Sequence, residues 1–174
     1  MSESGATADR ALSLTEASFE AFRTLALRYV IAVFSTPLQF FVFLIGAWFT
    51  TNGVIAFGIY PDMAFGGHMQ SCTIQFLGFI PVTVNGWHAL FHLLTGLAGL
   101  ALAPQRHRAI AYAWFCGPFY LLVAALGFAG GDHVLHMMAV DTFGNIVHTI
   151  EGLLILTAVT LATIAGARVG KSTA

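Results

Sequence analysis

Charge is the scarcest commodity in this chain. Of its 174 residues, 9% are Asp, Glu, Lys or Arg and 57% are hydrophobic, with a mean hydropathy of +0.81. A soluble domain carries roughly a quarter charged residues. A soluble helical bundle would also need a polar stripe on each helix, and Phe40 to Trp48 or Leu153 to Ile164 offer almost none. The net charge of −1 leaves no basic footprint for nucleic acid. There are two cysteines, Cys72 and Cys116, expected on different levels of the molecule and so not to pair. No Ser-His-Asp order, phosphate-cradling glycine loop or pair of catalytic carboxylates is present. The opening segment lacks the basic-then-apolar order of a cleaved signal, because Glu3, Asp9, Glu16 and Glu20 make it acidic.

What the chain has instead is long apolar runs. A hydrocarbon core about 30 Å thick takes roughly 20 apolar residues per helix, and four segments qualify: 38–58, 85–103, 109–129 and 146–166. The expected fold is therefore all-α and integral to the membrane. It is a four-helix transmembrane bundle of two tandem helical hairpins, preceded by an amphipathic interfacial helix. Residues 1–12 read as a disordered tail, 13–36 as the amphipathic helix, 37–167 as the four-span domain and 168–174 as a second tail. Ser13-x-x-Glu16 has the form of a capping box, and Phe19, Phe22, Leu25, Ala26, Tyr29 and Val30 recur at helical intervals. Pro37 predicts a break. A competing reading starts the first span at Tyr29; we prefer 38–58, since 29–58 would make about 45 Å of helix.

Basic residues orient the chain. Arg10, Arg23 and Arg28 precede the first span, Arg106 and Arg108 fill the turn between the second and third, and Arg168 and Lys171 follow the fourth. The long loops 59–84 and 130–144 contain no lysine or arginine. The positive-inside rule then puts both termini in the cytoplasm of a bacterial inner membrane and both long loops outside. Segment 73–80 is too apolar for a free loop and is expected to fold back onto the bundle or to lie in the headgroup region. Gly99-x-x-x-Ala103 and Ala158-x-x-x-Ala162-x-x-x-Gly166 are small-residue stripes suited to close helix packing. Pro118 predicts a kink in the third span.

The chain also repeats itself. Asn85-Gly86-Trp87-His88-Ala89-Leu90-Phe91-His92, followed by Gly96, returns as Asn145-Ile146-Val147-His148-Thr149-Ile150-Glu151-Gly152. One register superposes His88 on His148, and another, a turn along, superposes His92 on His148. At the His-x-x-x-His-x-x-x-Gly and Asn-x-x-His-x-x-x-Gly runs, and in glycine-spaced helices such as Gly46 to Gly53, the chain resembles a family of small four-helix bacterial membrane proteins, the domain of unknown function 4383. The resemblance covers about residues 38 to 166 and departs at Ala89, where a polar residue is expected. It implies a membrane fold and no activity.

Six of the seven histidines fall outside or in the outer half of the expected bundle; His107 is the exception. His88 and His92 share one helix face, and His148 and Glu151 share another. Should those faces meet in the core, three imidazoles and a carboxylate would suit zinc, copper or iron, and His88, His92 or His148 could in pairs ligate a haem b iron. The plainer reading makes Asn85 and Asn145 helix caps with His88 and His148 leaning on them. His92 and Glu151 resist that reading, since a carboxylate two turns into an apolar helix is costly without a partner; they could pair with each other. His133-x-x-His136-Met137-Met138, with His68-Met69 and Cys72, mixes imidazole and soft sulfur as copper(I) sites do, although Met mostly fills packing gaps. Asp132 and Asp141 are expected to cap or solvate the outer loop.

From the sequence, the first functional expectation is a non-enzymatic accessory, scaffold or interaction protein, packed against lipid and against other membrane subunits or itself. The alternative is a metal- or haem b-binding protein in electron transfer, metal handling or sensing, built on His88, His92, His148 and Glu151. A small transporter using Glu151 as its proton-linked group is a third possibility.

Overall fold

A computed structural model describes the backbone of residues 3–76 and 78–172 and the side chains of residues 16–75 and 78–167. Its order is α1 (Glu3–Val33), α2 (Pro37–Ile59), β1 (Cys72–Phe76), β2 (Ile80–Val84), α3 (Gly86–Leu102), α4 (Arg106–Gly130), β3 (His133–Val134), β4 (Met138–Ala139) and α5 (Thr142–Ser172). Three helices are long and apolar enough to cross a membrane: α2, α4, and α5 over Thr142–Ala167. With 17 residues, α3 is equally apolar but shorter, about 26 Å at the usual rise.

The break before α2 forms for the reason the sequence suggests. Thr36 is the N-cap, its Oγ1 accepting from the Gln39 amide at 3.2 Å, and Pro37 takes a helix-start position where no donor is missed. The Gln39 side chain is buried and donates to the Ala32 carbonyl at 2.9 Å and the Pro104 carbonyl at 2.8 Å. One amide thus fastens the end of α1, the start of α2 and the α3–α4 turn together. α1 is continuous from Glu3, so the Ser13-x-x-Glu16 box lies within the helix and not at its start. Its Phe19, Phe22, Leu25 and Ile31 are exposed. Its last turns touch the rest of the molecule, through buried Val33 and through the Tyr29 hydroxyl, which donates to the Leu100 carbonyl at 2.7 Å.

α2 lies along α3, and α4 along α5; contacts between these two pairs are sparser. Small residues let the pairs close up. A Cβ added at Gly53 would stand 2.5 Å from the Leu93 amide nitrogen, and one at Gly46 2.8 Å from that of Leu100. In the other pair, a Cβ at Gly152 would stand 2.9 Å from the Gly117 carbonyl oxygen. α4 runs through Pro118 without interruption. Between the pairs lies the main core cluster, which includes Val42, Phe49, Tyr112, Cys116, Tyr120, Ile155 and Val159. Charge holds almost nothing: among the described residues the single ion pair is Arg23–Glu20, on the exposed face of α1.

Segment 73–80 does fold back, as a β-hairpin. β1 and β2 pair antiparallel, with Cys72 opposite Val84 and Phe76 opposite Ile80, around a turn whose Gly78 has φ 81°. β3 and β4 make a second, minimal hairpin in which Leu135 and His136 hold φ values of 54° and 50°. The two hairpin-bearing segments are fastened to each other, the Gly66 amide donating to the His136 carbonyl at 2.7 Å. Cys72 and Cys116 are both free.

Candidate metal centre

The site begins with two caps. Asn85 is the N-cap of α3, its Oδ1 accepting from the His88 amide at 3.1 Å and from the Ala139 amide at 3.2 Å, while its Nδ2 donates to the Met137 carbonyl at 2.7 Å. The start of α3 is therefore stitched to the β3–β4 hairpin. Asn145 differs from its counterpart. The helix starts a turn earlier, where Asp141 Oδ1 accepts from the Gly144 amide at 2.7 Å. Asp141 supplies the cap and Asn145 is buried within the first turn, side-chain atoms unpartnered, packed on Gly127. The other Asp141 oxygen accepts from the Thr83 amide and hydroxyl at 3.1 and 2.6 Å, tying α5 to β2.

These ties bring three imidazoles to one point. His88 and His92 come from α3 and His148 from α5, and all three are buried. Their Nε2 atoms form a nearly equilateral triangle: 3.1 Å between His88 and His92, and 3.3 Å on each side that reaches His148.

Hydrogen bonds on the far side of each ring assign the tautomers. His88 Nδ1 faces only carbonyls, that of Ala139 at 2.7 Å and that of Thr83 at 3.2 Å. A carbonyl only accepts, so the proton sits on Nδ1 and, in the neutral ring, Nε2 presents a lone pair. For His92 a relay gives the same answer. Nδ1 lies 3.2 Å from the Tyr120 hydroxyl, that hydroxyl lies 3.0 Å from Thr95 Oγ1, and Thr95 donates to the Phe91 carbonyl at 2.8 Å. Read from that terminal acceptor, each hydroxyl donates once and His92 donates from Nδ1. His148 Nδ1 is buried without a hydrogen-bond partner. At least two lone pairs thus converge at about hydrogen-bonding distance with no proton between them. Such an arrangement repels itself unless a proton on His148 Nε2 or a bound cation joins it.

Aromatic rings pack around the triad. Phe49 and Phe91 have centroids 5.4 Å from that of His92, and Tyr120 lies 5.5 Å from His148 and stacks on Phe49 at 4.4 Å. Elsewhere a cavity of about 130 Å³ reaches all three histidines, with walls from α2, α5 and the β1–β2 hairpin. None of those three rings lines it.

Glu151 lines the same cavity without joining the convergent group. One of its carboxylate oxygens accepts from Trp48 Nε1 at 2.9 Å, and the other is buried with no partner. Its hydrogen bond is thus to Trp48 and not to His92. Trp48, Tyr120 and Thr95 carry no motif in the sequence; only the rotation of α2, α4 and α3 about their axes aims them here. His133 and His136 stand apart, their rings tilted against each other with centroids 3.8 Å apart on the second hairpin, and His68 is exposed on the 3₁₀ turn Gly66–His68. Among the described residues, the one group of three potential ligands is His88, His92 and His148.

The model of one protein family, described as Domain of unknown function (DUF4383), matches residues 39–162. The chain belongs to the DUF4383 family. The DUF4383 match takes in all of α3 and α4, both hairpins and all but the ends of α2 and α5, and therefore every residue of the triad. It leaves out α1, so the exposed N-terminal helix is additional to the DUF4383 unit. No curated protein and no solved structure matches the chain.

Proposed function

We propose that this protein is a multi-pass membrane metalloprotein that holds one transition-metal ion on His88, His92 and His148, leaving a coordination position open. The observation that carries the reading is the Nε2 triangle. An ion about 2.05 Å from each nitrogen would sit about 0.8 Å out of their plane with N–metal–N angles of about 104°, close to tetrahedral. The sides of 3.1 to 3.3 Å are thus the separation that a shared zinc, copper or iron ion requires. The Ala139 carbonyl and the Tyr120 hydroxyl behind His88 and His92 are the outer-shell partners that orient ligating imidazoles.

A bare ion fits better than haem b. Two axial histidines stand on opposite sides of a porphyrin, whereas these three share one point beside a cavity of about 130 Å³. Convergence of this kind moves our preference from the accessory-protein expectation to the metal-binding one. Glu151 remains in the reading as a buried carboxyl group lining the same cavity as the triad, its second oxygen without a partner.

In this reading α2 to α5 form a four-helix transmembrane bundle of two tandem hairpins descended from a repeated unit. It lies in a bacterial inner membrane with both termini in the cytoplasm. The lysine and arginine distribution supports that orientation, and the exposed apolar residues of α1 support its lying in the cytoplasmic interface. The metal end then faces outward under the two β-hairpins, a place suited to metal handling, sensing or chemistry at the outer leaflet.

Metal analysis tests it. Protein purified without chelator from metal-replete cells is expected to carry close to one transition metal per chain, and His88→Ala, His92→Ala and His148→Ala each to lose it while keeping the helical circular dichroism. Wild-type protein that is metal-free and takes up neither zinc nor cobalt would return the accessory-protein reading to first place.

A further inference from the structure

We infer that the cavity beside the triad is a binding site for a lipid-soluble hydroxyl compound, a phenol or alcohol with an apolar tail, which enters from the bilayer. The inference rests on the metal reading and adds to it the class of molecule that the open position takes.

Three observations lead there. First, the open position must face the cavity. The cavity is lined by all three histidines, whereas Phe49, Phe91 and Tyr120 pack on the triad without lining it. Second, the walls are mostly apolar, with Ala56, Val82, Val84, Phe143 and Val147 among them and Asn52 as the polar side chain apart from the triad, Trp48 and Glu151. A polar metabolite would lose its hydration there without replacement. At about 130 Å³ the space is close to that of a cavity known to admit benzene. It takes one ring or the head of a longer molecule. Third, the cavity holds two unmet needs of opposite kind. The ion lacks a fourth electron pair, and the unpartnered Glu151 oxygen, in a side chain 6% exposed, lacks a hydrogen-bond donor. A hydroxyl group meets both, giving its oxygen lone pair to the ion and its proton to a hydrogen bond with Glu151. A hydrocarbon meets neither, and a carbonyl or ether meets only the first.

The route follows from the walls. The cavity is bounded by α2, α5 and the β1–β2 hairpin, with Trp48 and Phe143 lining it and 37% and 41% exposed. Because α2 and α5 touch each other less than each touches its own partner, the opening lies between apolar helices that face lipid. Such a doorway selects molecules already dissolved in the membrane.

The test uses the full-length protein in lipid nanodiscs, loaded with cobalt(II), whose visible ligand-field bands report the fourth ligand. Titration with 4-hexylphenol is expected to shift those bands saturably, and hexylbenzene to leave them unchanged. Ala56→Phe, which fills the cavity and leaves the three histidines in place, is expected to keep one cobalt per chain and weaken the phenol effect at least tenfold. Should that variant not fold, Val82→Phe on β2 serves the same purpose. Glu151→Gln is expected to weaken the phenol at least tenfold as well. Cobalt bound at one per chain with no saturable phenol shift, or with a shift that the filled cavity leaves intact, overturns the inference and leaves the metal reading standing. Failure to bind cobalt at all removes both.

Discussion

The close approach of α2 to α3 can be tested with one substitution made twice. Gly53 and Gly58 lie on the same helix, five residues apart, and Gly→Ala adds one methyl group at each. At Gly58 that methyl meets nothing within 4 Å. The change is then all gain, at most about 0.5–1 kcal/mol from reduced backbone freedom, and less so close to the helix end. At Gly53 the same methyl would stand 2.5 Å from the Leu93 amide nitrogen and 2.8 Å from the Ala89 carbonyl oxygen, both backbone atoms. Ordinary contact begins at 3.4 Å, so the helices must part by close to an ångström. Overpacking of this size costs about 1–3 kcal/mol. Since the backbone gain is common to both variants, Gly53→Ala is expected to be less stable than Gly58→Ala by about 1–3 kcal/mol. Steric trapping in bicelles, performed on metal-free protein, measures the difference directly. Equal stabilities within about 0.5 kcal/mol, the usual spread for harmless surface changes, would refute the packing argument. The displaced Ala89 and Leu93 flank His88 and His92 in sequence, so metal affinity is expected to fall in Gly53→Ala and not in Gly58→Ala.

Tyr120→Phe removes the hydroxyl that takes the His92 Nδ1 proton and should weaken metal binding about 10- to 100-fold, measured by competition with a chromophoric chelator. Asp141→Ala deletes the α5 cap and the ties to Thr83; a loss of about 1–2 kcal/mol is expected, read by thermal unfolding. Cys72, in the outer hairpin, should react with a membrane-impermeant maleimide added to intact cells, whereas buried Cys116 should not; absence of labelling in a Cys116→Ala background would invert the proposed topology.

Much of the helical layout is legible in the residues. Apolar runs and Pro37 place the helices to within a few positions, with α2 at Pro37–Ile59 against an expected 38–58 and α3 at Gly86–Leu102 against 85–103. The convergence of His88, His92 and His148 follows from the repeat and from shared helix faces. Less legible is whatever depends on rotation between distant helices. Glu151 is drawn toward His92 by depth alone, yet Trp48, more than a hundred residues earlier, faces it and donates the hydrogen bond. Helical periodicity says which residues share a face, not which face another helix presents. Asn145 looks like a cap because Asn85 is one, but a better acceptor, Asp141, stands a turn upstream and starts the helix there. The first β-hairpin does leave a signal: Cys-Thr-Ile-Gln-Phe and Ile-Pro-Val-Thr-Val flank a turn at Gly78-Phe79, an alternation and turn suited to strands and masked by the overall apolarity of the segment.

The proposed ligand set is divided two to one between helices that are made at different times. α3 brings two imidazoles, and α5, which leaves the ribosome only after α4 and the second hairpin, brings the third. No ion can therefore be held fully while the chain is still half inserted. The Ala139 carbonyl that fixes the His88 tautomer belongs to the same late portion. Metal capture on this triad would be a closing event of biogenesis, and a chain stalled before α5 would reach the bilayer with two orphan histidines and nothing to quality-check it as finished. An occupied triad would in that sense be a stamp of completion.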